Sequence, residues 1–285
     1  MSTSPSYNEN TYVMDAESAA ETARLMNQDR ILTRTMGGVF PERPDLSNAH
    51  DILDIGCGPG GWVLDVAYEY PEIQLMGIDI SHTTIRYARA QAKVQGLENA
   101  SFRVMSALKP LEFPDNSFDL VNARFIMGFM PTIAWPEFLQ ECMRILRPGG
   151  IMRLTEAEYG VSTSSNVNDL GALVAQLLKR IGYSFSPDGK NMGIAPVMAP
   201  MLRQAGFQDV KMMSHVMEAS AGTEAYGPWT DNIKVMFQMI QPILVKMRVI
   251  SQEEMDQLYQ NAVIDMLSDD FYSIGFSLTV WGHRL

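Results

Sequence analysis

Asp51-Ile-Leu-Asp-Ile-Gly-Cys-Gly-Pro-Gly-Gly61 reads as a strand that runs straight into a glycine turn. Ile52, Leu53 and Ile55 give the short apolar run of a parallel strand covered on both faces. Gly56, Gly58, Gly60 and Gly61 follow, and without Cβ atoms such a turn lets backbone N–H groups approach a ligand closely. A helix is expected from about Trp62, because Val63, Val66, Ala67 and Tyr70 recur at i, i+3, i+4 and i+7 before Pro71. A second strand, Ile73-Gln-Leu-Met-Gly-Ile-Asp79, ends on an acid placed to accept hydrogen bonds from a ribose diol. Strand, glycine turn, helix, strand and acid together describe a nucleoside-binding half-site. Gly56, Gly58 and Gly61 also satisfy the dinucleotide spacing G-x-G-x-x-G, so these residues alone leave two cofactors open.

Outward from this stretch the pattern becomes specific. Asp54 stands two residues before the first glycine of Asp54-Ile-Gly-Cys-Gly-Pro-Gly-Gly61. Gly77-Ile-Asp-Ile-Ser81, Phe113-Pro-Asp-Asn-Ser-Phe-Asp-Leu-Val121 and Leu146-Arg-Pro-Gly-Gly150 follow in order. Over roughly residues 50 to 155 the chain resembles the class I S-adenosylmethionine-dependent methyltransferases of small-molecule type. The resemblance implies an α/β, Rossmann-like doubly wound sheet, mostly parallel with an antiparallel last strand, and helical cap insertions. It implies S-adenosyl-L-methionine as cofactor, with Gly56, Cys57, Gly58 and Gly60 in the cofactor loop and Asp54 facing the amino-acid end. Asp79 would take the ribose, Ile80, Ser106 and Ala107 would flank the adenine, and Asn122 and Arg124 would line the methionine end. One departure is visible. The third strand, Phe102 to Met105, is followed by Ser106-Ala107 where the family usually carries an adenine-contacting acid.

The rest of the chain divides around that core. A helix from about Asp15 to Met36 has Ser18 and Glu21 at capping-box spacing and Leu25, Leu32 and Met36 on one face. Residues 1–39 are therefore expected to form an N-terminal lid, and 40–156 the cofactor-binding core. Strands are expected at Phe118–Arg124 and Ile151–Thr155, with a helix from about Ile133 to Leu146 between them. Glu156 and Glu158 follow at the carboxyl end of the fifth strand and are not expected to act as a pair. Residues 157–206 read as a helical cap and 207–285 as the sixth and seventh strands around a helical insertion, 220–268. The sixth strand is expected near Gln208–Met217 and the last at Gly275–Val280.

Composition narrows the function. The net charge is −11 and no basic stripe is visible, which argues against a nucleic acid substrate. Asn122-Ala-Arg-Phe125 also lacks the two prolines of the signature found in enzymes that methylate nucleic acid bases. The two cysteines, Cys57 and Cys142, suggest neither a disulfide framework nor a metal site. No apolar run approaches the ~18 residues of a membrane span. Residues 1–11 read as adaptable, and Met1 to Asn10 lack a secretory core, so a cytoplasmic location is expected. Homo-oligomerisation is left open. Twelve of the 21 methionines follow residue 150. Methionine fills irregular apolar space and adapts to varied ligands, which suits an apolar acceptor pocket between core and caps as well as ordinary core filling.

The expected activity is in-line methyl transfer to O, N or C of an apolar or mixed small molecule, in secondary metabolism. Glu156, at a strand's carboxyl end, and His215, on the sixth strand, are the candidate bases. His50, His82 and His283 are weaker candidates, and Tyr159 is placed to orient an acceptor. Two other readings remain: a cofactor-binding cyclase or decarboxylase of the same fold, and an NAD-dependent oxidoreductase. The absence of a Tyr-x-x-x-Lys pair counts against the last.

Overall fold

The structure, a computed structural model, describes residues 11–285. The expectations for residues 1–10, adaptability and the lack of a secretory core, lie outside the described residues. Thr11 is tied down at both ends: its hydroxyl donates to the Phe129 carbonyl at 2.7 Å, and its own carbonyl accepts from the Tyr183 hydroxyl at 2.6 Å.

The chain runs α1 (Ala19–Met36), β1 (Asp51–Ile55), α2 (Gly61–Glu69), β2 (Gln74–Asp79), α3 (His82–Gln95), β3 (Ala100–Val104) and β4 (Phe118–Arg124). It continues with α4 (Trp135–Ile145), β5 (Leu146–Ser162), α5 (Ser165–Arg180), α6 (Ala195–Ala205), β6 (Gln208–Glu218), α7 (Tyr226–Lys246), α8 (Gln252–Met266) and β7 (Ser273–His283). The sheet order is β3-β2-β1-β4-β5-β7-β6. β1 to β5 are parallel, and β7 inserts antiparallel between β5 and β6. The order reverses between β1 and β4, so the loops leaving those two strands diverge and open a crevice at their carboxyl ends.

Both faces of the sheet are covered, which is why the strands are apolar on both sides. On the first face Ile52, Leu75, Phe102, Leu120 and Ile151 pack under α2 and α3. On the second, Leu53, Ile55, Val121, Met152, Leu154 and Val280 pack under α4, α5 and α6. Each fully buried aliphatic side chain contributes about 1.5–3 kcal/mol. The linker after α1 is held to the first face by Trp62, whose indole N–H donates to the Val39 carbonyl at 3.1 Å while Phe40 meets its ring edge-on.

Local signals and outcome agree at the caps. Ser18 accepts from the Glu21 N–H and Ser81 from the Thr84 N–H, while Gly37, Gly96 and Gly206 close their helices in the left-handed conformation. The Ser18 capping box is only half made, because the Glu21 carboxylate turns to Tyr12 and Arg24 instead. β5 is the main correction: it extends to Ser162 because β7 pairs with it as far as Ser162↔Ser273. Glu156 and Glu158 therefore lie within a strand. Residues two apart on a strand share a face, so the two carboxyls point the same way, each into a different set of backbone N–H groups.

Candidate functional site

The crevice at the carboxyl ends of β1 and β4 holds a cavity of about 150 Å³. Asp54, Gly56, Cys57, Gly58, Asp79, Ile80, Ser106, Ala107 and Arg124 all line it. The glycine turn is shaped by what surrounds it. Gly58 has φ +51°, and a Cβ there would meet nothing nearer than Leu25 at 3.8 Å, so the turn presents bare backbone to open space. Gly60 does not line the cavity. It caps α2 at φ +84°, and a Cβ there would stand 2.7 Å from the Phe102 ring. Its role is close packing of the turn on β3, while Gly56 and Gly58 line the cavity with their N–H groups already donated to the Ile78 carbonyl and to Asp79.

Asp79 is held ready at the tip of β2. Its two oxygens accept from the Gly58 N–H at 3.0 Å and the Ser81 N–H at 2.9 Å. Burial raises its pKa, and those two N–H groups work in the opposite direction. Asp54 is buried and accepts from the Asn122 side-chain amide at 2.7 Å. Burial pushes its carboxyl up to about 7, against the pull of Arg124. The Cys57 thiol is raised well above its ordinary value by burial, so it stays protonated and inert.

Asn122 does not reach the cavity, contrary to the expectation that it lines the methionine end. It is fully buried behind Asp54, and its carbonyl oxygen accepts from Arg153 Nη1 at 2.8 Å. Arg153 in turn pairs with Glu42 and lies over Phe40 and Trp62. Arg124 does reach the cavity, but it is already paired with Asp29 of α1 and donates to Thr33 at 3.1 Å. Ser106, which stands where the resembled family usually carries an acid, accepts from the Leu108 N–H at 3.3 Å and so shapes its own turn.

A second, larger cavity of about 260 Å³ adjoins the first, and Tyr12, Gln28 and Phe125 line both. Its wall includes Leu32, Met36, Met127, Tyr159, Met192, Met217, Met236, Phe237 and Phe271. Of the twelve methionines after residue 150, Met192, Met217, Met236 and Met266 line it, whereas Met198 is fully buried core and Met212 is exposed.

Glu156 and His215 both line this cavity, from opposite faces of the sheet. Glu156 pairs with Leu278 in register, and His215 pairs with Ser277. Glu156 accepts from the Ile126 and Met127 N–H groups at 2.8 and 3.1 Å through one oxygen. Burial pushes its carboxyl up to about 8. His215 Nε2 meets the Thr279 hydroxyl at 3.0 Å, and its pKa is lowered by burial and then by Arg153. Glu158 is engaged by the N–H groups of Met192, Gly193 and Ala195. Tyr159 is half-buried at the cavity wall, and desolvation raises its phenol. His82 begins α3, with its N–H on Glu17, and His283 contacts the Gly149 carbonyl away from both cavities.

Sequence reasoning missed Gln28 and Asp29. With Leu25 and Leu32 they form one i, i+3, i+4, i+7 face of α1, so the signal was two polar residues inside an apolar stripe. It also missed Arg153 and Glu42. There the signal was a lone arginine in the otherwise apolar run Ile151-Met-Arg-Leu154, which requires a buried partner. Among the described residues no cluster of His, Cys, Asp and Glu could hold a metal, and no helix is long and apolar enough to cross a membrane.

Comparison with known proteins converges on this site. Residues 52–150 match the family model described as a methyltransferase domain. The probable methyltransferase ltbC of Aspergillus luteorubrus is 31% identical over 172 residues, 58% of this chain and 59% of that one. The nocamycin O-methyltransferase of Saccharothrix syringae is 29% identical over 205 residues, 67% of this chain and 72% of that one. Among solved structures, phosphoethanolamine N-methyltransferase 2 of Haemonchus contortus, with phosphomonomethylethanolamine and S-adenosylhomocysteine, superposes with a TM-score of 0.59 at 17% identity. That match covers 99% of this chain and 62% of the Haemonchus chain, so the similarity spans less than two thirds of the Aspergillus and Haemonchus proteins. With the sheet order, the glycine turn and the acid at the tip of β2 in place, residues 52–150 carry a methyltransferase domain on the Rossmann-like fold of S-adenosylmethionine-dependent methyltransferases.

Proposed function

We propose that the protein is a methyltransferase that binds S-adenosylmethionine in the first cavity and an apolar small-molecule acceptor in the second. The observation that carries this reading is the adjacency of the two cavities, one lined by the glycine turn with Asp29, Asp54, Asp79 and Arg124, the other more apolar and rich in methionine. The residues present fit the cofactor. Gly56 and Gly58 offer backbone carbonyls, their N–H groups being held by the Ile78 carbonyl and Asp79, Asp79 offers a carboxyl to the ribose, and Asp54 and Arg124 stand at the amino-acid end. Ile80, Ser106 and Ala107 form the adenine wall.

When bound, the cofactor supplies a methyl carbon already activated by its sulfonium. The protein then has to align a nucleophile behind that carbon and exclude water. Alignment of this kind supplies about 7–11 kcal/mol of barrier reduction. Phe125 and Tyr12, shared by both cavities, stand where the acceptor would meet the methyl group. The Glu156 carboxyl is the best-placed proton acceptor, in its ionised form. His215 is the alternative, with Nδ1 as its remaining nitrogen. The acceptor atom, O, N or C, is left open by this reading.

The test is calorimetric titration with S-adenosylmethionine, S-adenosylhomocysteine and NADH, followed by an acceptor screen that reads S-adenosylhomocysteine formation. Micromolar binding of both adenosyl ligands and turnover with an apolar acceptor are expected. Adenosyl binding with product formed but no S-adenosylhomocysteine released would instead indicate non-methylating chemistry on the same fold.

A further inference from the structure

The second cavity contains a polar device that methyl transfer does not require. Arg24 of α1 is buried, and its charge is matched by Glu21, which accepts from Nε at 2.6 Å and from Nη2 at 2.7 Å. Its third nitrogen, Nη1, donates to Gln28 Oε1 at 2.6 Å and to Asn232 Oδ1 of α7 at 3.2 Å. A guanidinium has only donors, so both amides must turn their oxygens toward it. That fixes where their nitrogens go. Both residues line the second cavity, and neither amide NH₂ group has a protein partner among the described residues. Neither nitrogen is a fully buried unsatisfied atom either, a condition met among the described residues only by the Trp135 indole nitrogen. Both nitrogens therefore keep some accessible surface and both residues line the second cavity, Gln28 at its junction with the first, although Asn232 as a residue is only 2% exposed.

Charge restricts what these donors can hold. None of the described residues lining the cavity is Lys or Arg, while Glu156 and Glu158 are both there. An anionic ligand would meet no Lys or Arg in the wall, and Arg24 behind the two amides already has its charge answered by Glu21. A neutral oxygen would meet two N–H donors held by one guanidinium in a mostly apolar wall, where an unpaired donor is costly.

We infer that Gln28 and Asn232, locked by Arg24, form a carbonyl clamp, and that the acceptor is an uncharged, largely apolar molecule carrying a ketone, ester or amide carbonyl. This deepens the proposed function, since it rests on the second cavity being the acceptor site. The clamp residues position the substrate and set specificity; they take no part in moving the methyl group.

The test needs no turnover. Binding of α-tetralone, tetralin and the naphthoate anion is measured by ligand-observed NMR and calorimetry, with and without S-adenosylhomocysteine. The ketone should bind about tenfold more tightly than the hydrocarbon, the scale of one to two well-made hydrogen bonds, and the anion no better than the hydrocarbon. Asn232→Asp and Gln28→Glu keep shape and the contact with Arg24 but remove an NH₂ donor. Each should abolish most of the ketone preference while leaving tetralin binding unchanged. Should the change on α7 unfold the protein, the α1 change carries the comparison, and melting curves separate the two outcomes. Equal binding of ketone and hydrocarbon, a preference that survives in the folded variants, tightest binding by the anion, or no ketone binding at millimolar concentration would each overturn the clamp. Failure of S-adenosylhomocysteine to bind while the ketone preference holds would count against the methyltransferase reading and leave the clamp standing.

Discussion

Two carboxyl groups at the site keep their protons to unusually high pH, Asp54 to about 7 and Glu156 to about 8, because both are buried. Their ordinary values are 3.8 and 4.5, so between those and the folded values the native state holds protons that the unfolded chain has lost. Stability should therefore fall as pH rises from about 4 to 8. Thermal melts of the ligand-free protein across that range should show the decline, and Asp54→Asn or Glu156→Gln should each flatten it. An unchanged slope in both variants would mean the two groups titrate normally. As the proposed base, Glu156 also bears on rate. A base with a pKa near 8 is mostly protonated at neutral pH, so methyl transfer should accelerate up to about pH 8. Glu156→Gln keeps an oxygen for the Ile126 and Met127 N–H groups. It should remove that limb and lower kcat/KM about 10²–10⁴-fold at pH 8.5, with S-adenosylhomocysteine affinity unchanged. Full activity in the variant would reduce Glu156 to organising the loop after β4. Asp79→Ala should weaken cofactor binding by at least about 1.5 kcal/mol, the scale of a charged hydrogen bond, and calorimetry decides it.

At the scale of elements, α1 is the piece on which both cavities depend. It supplies Leu25 and Asp29 to the first, Leu32 and Met36 to the second, and Gln28 to both. Its height above the glycine turn is set at Gly61, where an added Cβ would collide with the Asp29 carboxylate. Gly61→Ala should push Asp29 away from Arg124, loosen α1 and weaken S-adenosylhomocysteine binding several-fold. Tryptic cleavage within α1 should become faster, and binding should restore protection only at higher ligand concentration. Gly96→Ala is the control, since its Cβ meets nothing within 4 Å and any cost there comes from the positive φ alone. These dependences explain which elements could be read in the sequence. β1, the glycine turn, α2, β2 and α3 are local patterns with local stop signals, and they stand where the periodicity put them to within about two residues. The far half of β5 does not announce itself. Glu156 to Ser162 looks like the polar exit of a strand, and only pairing with β7, more than a hundred residues later, makes it one.

Across the whole molecule, the linker after α1, the centre of the sheet and the first cavity are joined by one buried chain of polar contacts, Glu42 to Arg153 to Asn122 to Asp54. Its partners lie 111, 31 and 68 residues apart in sequence, which is why motif reading found Asp54 and Asn122 but neither Arg153 nor Glu42. Glu42 and Arg153 side chains are each 1% exposed, so neither charge can be left alone. Burial works against the Arg153 charge, and Glu42 works for it. Arg153→Met should therefore cost about 3–5 kcal/mol, because it strands a buried carboxylate and frees an Asn122 oxygen. Adding Glu42→Gln should recover a large part of that loss, since a neutral amide replaces the stranded charge. Urea unfolding of the wild type, both single variants and the double variant measures the coupling directly. If the double variant is as unstable as the sum of the singles, the arginine matters through its packing between Phe40 and Trp62 and not through its charge. Recovery in the double variant without recovery of cofactor affinity would separate the two duties of the chain: holding the linker onto the sheet, and holding Asp54 in place through Asn122.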